Sequence, residues 1–85
     1  MIKFEIGEIV KIVGTDKEFP FYDEVFPKNL ITEVVYEYSE SIKHQPIKAY
    51  NRGDGGYWCP LYRVRGATDR EKFLYYINGE PFIVE

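Results

Sequence analysis

Phe4-Glu5-Ile6-Gly7-Glu8-Ile9-Val10-Lys11-Ile12-Val13 is the stretch that decides the fold class. Ile2, Phe4 and Ile6 alternate with polar neighbours, the period of a half-buried strand. Gly7 interrupts the run, and Glu8 to Val13 resumes with strand composition before Gly14. From Thr15 to Asn29 the pattern lapses into charged residues mixed with Phe19, Pro20, Phe21, Tyr22, Phe26 and Pro27, a long ring-rich loop after the first strand. Leu30 to Glu40 reads as the next strand. Leu30, Thr32, Val34, Tyr36 and Tyr38 fall on its inward face, and Ile31, Glu33, Val35, Glu37 and Ser39 on its outward face.

Further along, Ile47 to Tyr50 and Tyr57 to Arg65 pair as a hairpin across Asn51-Arg52-Gly53-Asp54-Gly55-Gly56, whose glycines permit the positive φ of a reversal. Period-two counting turns Tyr62 and Val64 inward and Arg63 and Arg65 outward. After Gly66 two signals compete. Thr68 with Glu71 fits a capping box and Gly79 a helix stop, whereas Phe73-Leu74-Tyr75-Tyr76-Ile77 has strand composition. The strand is favoured, with Asn78-Gly79 as a tight turn before a short last strand over Pro81 to Val84. Prolines at 20, 27, 46, 60 and 81 also argue against long helices. The expectation is an all-β chain forming one domain over residues 1–85.

The chain has 85 residues, so its core is small, and eight Tyr, six Phe and one Trp are an effective way to fill it. Residues 1–42 hold four Lys against nine acids, and residues 43–85 hold seven Lys or Arg against five, within a net charge of -3. A single His and a single Cys remove most routes to nucleophilic or metal chemistry. His44 has no nucleophile placed beside it. Asp23-Glu24 and Glu37 with Glu40 lack the ordered spacing of a calcium loop. No enzyme activity, metal or cofactor is expected. Cys59 has no partner for an internal disulfide and suits a small buried hydrophobe. The opening residues lack the apolar run of a secretion signal and no stretch is long enough to span a membrane, so a cytoplasmic setting is expected.

Taken together, Phe4 to Val13, the downstream Tyr62-Arg63-Val64-Arg65 and an aromatic-rich closing strand resemble the small five-stranded SH3-like barrels, including KOW-type modules and short barrel proteins of bacteria and their viruses. The Ala-Leu-Tyr-Asp-Tyr stretch and Trp-Trp pair of the proline-peptide-binding version are absent, so that specificity is not implied. The resemblance implies a non-enzymatic barrel whose loops and edges engage protein or nucleic acid. In size and acidity the chain is also similar to viral proteins that bind and modulate a host protein.

Two surfaces follow. Phe19, Phe21, Tyr22 and Phe26, supported by Tyr57 and Trp58, form a candidate protein-binding set, since rigid rings give contact area with little entropy loss, while Phe19 and Phe26 fit equally a lid folded over one end of the barrel. Lys43, Lys48, Arg52, Arg63 and Arg65 with Tyr50 and Tyr57 form the alternative, a basic and aromatic face suited to single-stranded nucleic acid. The chain is expected to act as a monomer or a homodimer.

Overall fold

The computed structural model describes residues 4–14, 22–52 and 56–84. Gly7 adopts φ 89° and donates its N–H to the Val34 carbonyl at 2.8 Å, which swings the chain into strand β1, Ile9–Ile12. That positive φ is open to glycine at little cost. Strand β2, Leu30–Glu33, lies antiparallel beside β1 with Val10 opposite Thr32. Strand β5, Val64–Gly66, flanks the other edge of β1, with Lys11 opposite Arg65. Strand β6, Phe82–Ile83, completes the order β5-β1-β2-β6. A second sheet pairs β3, His44–Lys48, with β4, Gly56–Pro60, and an isolated bridge from Val34 to Ile47 connects it to the first.

The chain is therefore mostly β, with six strands among the described residues, in two antiparallel sheets. No ladder joins β4 to β5 or to β6 among the described residues, so the strand pairing does not close on itself. Helix α1, Tyr22–Val25, sits in the long connection after β1, and helix α2, Asp69–Asn78, precedes β6. No helix among the described residues is long and apolar enough to cross a membrane.

Between the two sheets lies the main core, where Val10, Ile12, Leu30, Val34, Ile47, Ala49, Cys59 and Val64 pack with Phe26. On the other face of the larger sheet, Ile9 and Ile31 pack against Tyr75 of α2, with Phe82 and Val84 beside them. Covering both faces explains why Leu30, Ile31 and Thr32 are all buried, contrary to the one-sided burial expected for this strand. The chain leaves the sheet after the Val34 bridge, so Tyr36, expected inward, is exposed.

Two further readings are corrected. Residues 73–77 are helical, because the Thr68 hydroxyl accepts from the Glu71 N–H at 3.2 Å while the Glu71 carboxylate accepts from the Thr68 N–H at 2.8 Å. At the other end Gly79 takes φ 79° and donates to the Tyr75 carbonyl. Both helix ends are thus closed by local hydrogen bonds, and these outweigh a strand preference that exists only where a sheet offers an edge.

The hairpin forms in the expected place, with Ile47 opposite Tyr57. Its second arm, however, stops at Pro60, and Leu61–Arg63 make a 3₁₀ turn. A period-three turn inserted into a period-two count reverses the faces. Tyr62 consequently points to solvent and Arg63 is buried, the opposite of the expected arrangement, while Val64 remains inward.

Candidate protein-binding surface

Alternation along the β3–β4 hairpin sends Gln45, Ile47 and Cys59 into the interior and leaves Pro46 and Trp58, cross-strand neighbours, on the outer side. The segment after Val34 runs alongside β3 and lays its Val35 and Tyr36 side chains on that outer side at Gly56. The Val35 N–H donates to the Pro46 carbonyl at 3.1 Å, and the Gln45 Nε2 donates to the Tyr36 carbonyl at 3.0 Å. Gly56 makes this close approach feasible. A Cβ there would collide with Val35 Cγ2 and lie 3.2 Å from Tyr36 Cδ2. Tyr36 thus rests on Gly56, two residues from Trp58 on the same face of β4. Tyr36 is 64% exposed and Trp58 46%, while Pro46 beneath them is buried.

The residues that follow Tyr36 line a cleft of about 350 Å³, bounded by Phe4, Glu5, Ile6, Glu37 and Tyr38. One fully buried side chain holds both of its walls. The Gln45 Oε1 accepts from the Phe4 N–H at 3.2 Å, and its Nε2 donates to the Phe4 carbonyl at 3.3 Å as well as to Tyr36. The amide acts as a short substitute for a strand neighbour, satisfying both backbone groups of Phe4. Glu5 and Glu37 take part in no ion pair among the described residues. The result is an aromatic shelf next to a fixed, acid-flanked cleft.

A test of this architecture follows from Gly56. The Gly56→Ala variant is expected to lose about 1–3 kcal/mol of stability, because Val35 is stiff at χ1 and cannot withdraw without moving backbone. Urea unfolding checks it, and tryptophan fluorescence of Trp58 should shift in the native baseline as the shelf is displaced. An unchanged midpoint would show that Val35 and Tyr36 do not rest on Gly56.

The expected protein-binding residues are only partly brought together. Trp58 and Tyr57 are exposed. Phe26 is not available to a partner, because it is fully buried in the main core and anchors the end of α1 there. Phe19, Phe21 and the Tyr22 side chain lie outside the described residues, as do Gly53 and Gly55 of the hairpin tip. Tyr36, Glu37, Tyr38, Phe4, Glu5 and Ile6 join the surface without having been singled out in the sequence. The one local hint was the aromatic and acidic run Tyr36-Glu37-Tyr38.

The alternative basic set does not assemble into an open face. Arg63 is buried. Lys48 Nζ lies 2.7 Å from Glu33 Oε1, and Arg65 Nη1 lies 3.3 Å from Glu71 Oε1. Arg52 is 3.7 Å from Glu24 Oε2, and Tyr50 packs against the main core. Most of these cations therefore already face an acid of the same chain.

Comparison of the chain with family models, with curated proteins and with solved structures finds no match.

Proposed function

We propose that this chain is a non-enzymatic protein-binding module that grips its partner through Tyr36 and Trp58, with the neighbouring acidic cleft taking a cationic side chain. The observation that carries the reading is the half-exposed Trp58 on the outer face of β4, the same strand whose Gly56 supports the exposed Tyr36. Tryptophan and tyrosine dominate interface energetics, and rings fixed by the fold lose little entropy on docking. The cleft adds charge selectivity, since Glu5 and Glu37 take part in no ion pair among the described residues.

The order of pairing also supports an SH3-like scaffold for this module. β1 contacts β5 and β2, Val34 just after β2 bridges to β3, β3 pairs with β4, and a 3₁₀ turn leads from β4 into β5. A cytoplasmic viral protein that modulates a host protein is the setting in which a short acidic module of this kind fits best. Nucleic-acid binding has less support, because affinity for phosphates rises with the number of free cations and most here are paired internally.

The test compares wild-type chain with Trp58→Ala and Tyr36→Ala in quantitative capture of proteins from cell lysate, followed by titration of the captured protein. Trp58→Ala is expected to weaken binding by about tenfold or more, with the circular dichroism spectrum and the unfolding midpoint retained. Glu37→Lys should weaken the same partner and make binding less dependent on salt. Equal capture by wild type and both aromatic variants would overturn the reading.

A further inference from the structure

Helix α2 has its polarity reversed relative to an ordinary surface helix. Toward the sheet it presents Glu71, in ion pairs with Lys11 and Arg65, and Tyr75, whose hydroxyl donates to Glu33 Oε1 at 3.0 Å. Toward solvent it presents Phe73, Tyr76 and Ile77, exposed by 63%, 71% and 67%. These positions, spaced three and four apart, form one continuous stripe. An apolar stripe of this kind on the outside of so small a chain marks an interface, because scattered exposure would not cluster on one helix face.

The charges at the two ends of the stripe indicate what covers it. Arg70 lies in the first turn of α2, next to the positive end of the helix dipole, and Glu80 follows its last turn, next to the negative end. Each is unfavourable for its own helix. Neither takes part in an ion pair among the described residues. In an antiparallel pair of α2 helices both conflicts are relieved at once. A two-fold axis on the solvent side of α2, at the height of residue 75, brings Arg70 of one chain to Glu80 of the second copy, in both directions, and sets Phe73 against Ile77 of the second copy. A two-fold interface must be self-complementary in this sense, and the two helix dipoles then oppose favourably.

We infer that the exposed face of α2 is a self-association surface, on which a second copy of this chain docks antiparallel through Phe73, Tyr76 and Ile77 and is aligned by Arg70 and Glu80. It lies on a different element from the Tyr36–Trp58 shelf, so a dimer presents two copies of that shelf and engages a repetitive partner with greater avidity.

Sedimentation equilibrium on the intact chain tests the inference. The patch is modest, so the mass should climb from one chain toward two between about 10 µM and about 1 mM. Phe73→Glu, an exposed position that should leave the circular dichroism spectrum unchanged, is expected to raise the dimer dissociation constant at least about tenfold. Arg70→Glu and Glu80→Arg should each weaken self-association several-fold, while an equimolar mixture of the two recovers it, because the mixed pair restores both contacts. A single-chain mass throughout the range, a dimer indifferent to Phe73→Glu, or a mixture no tighter than its components would each overturn the inference.

Discussion

Replacing Arg63 with Ala is expected to remove about 3–4 kcal/mol of stability, enough to leave a chain of this size close to its unfolding transition at room temperature. Arg63 is 1% exposed, and its Nη2 alone serves three acceptors. It donates to the Gly14 carbonyl at 3.0 Å, to the Phe26 carbonyl at 3.0 Å and to Asp23 Oδ1 at 3.2 Å. Gly14 follows β1, Asp23 belongs to α1 and Phe26 follows it, so one guanidinium ties both ends of the long β1–β2 connection to the 3₁₀ turn. Truncation removes the guanidinium donor from the Gly14 and Phe26 carbonyls and opens a cavity where the side chain was buried, each a substantial cost.

The burial is not fully compensated, since Nε and Nη1 find no acceptor among the described residues. This makes Arg63→Lys informative. It keeps a charged donor near the three acceptors and discards the unsatisfied nitrogens, so it should recover part of the loss. Asp23→Asn should cost less than either, because that carboxylate is 37% exposed and water competes for it. The urea midpoint measures all three. An Arg63→Ala midpoint within experimental error of wild type would show that the connection is held by other contacts, and would return Arg63 to the list of residues open to a ligand.

Arg63 also illustrates what the sequence made legible and what it hid. β1 was readable because Ile9, Val10 and Ile12 are a local pattern bounded by Gly7 and Gly14. β6 and the β3–β4 pairing were readable from Pro81 and from the glycine-rich turn. The faces of residues 61–63 were not, because their phase depends on whether the chain stays extended past Pro60, which is settled by packing of Leu61 and Arg63 in the interior. In α2 the capping residues Thr68, Glu71 and Gly79 were visible, but the five residues Phe73 to Ile77 favour a strand when taken alone. Trp58 could be anticipated as a surface anchor in a hairpin. The cleft could not, because Gln45 reaches Phe4 across 41 positions of sequence, and no local signal identifies a buried amide that holds two segments together.

Glu71 is expected to show the largest pH-dependent effect among the described residues. Lys11 on β1 and Arg65 on β5 lie opposite one another in the sheet, and both reach the same carboxylate, Lys11 at 3.4 Å and Arg65 at 3.3 Å. The Thr68 N–H adds a third contact, so Glu71 at once caps α2 and fastens it to the sheet. Burial alone pushes this carboxyl up, but the Thr68 hydrogen bond, the Arg65 guanidinium and Lys11 together bring it down to about 2. A folded-state value below the unfolded one means that the stabilisation is complete above about pH 4.5 and is lost as the pH falls toward 2. Glu71→Gln, which cannot ionise, should therefore be less stable than wild type by about 3 kcal/mol at pH 7, with the difference shrinking through that window and vanishing near its lower end. Glu71→Ala should cost more at pH 7, since it also leaves Thr68 uncapped. Denaturant unfolding of wild type and Glu71→Gln at successive pH values checks this directly. Parallel stability curves between about pH 5 and about pH 2.5 would mean that Lys11 and Arg65 are neutralised by solvent rather than by Glu71, and that α2 is held to the sheet by Tyr75, Ile9 and Ile31 alone.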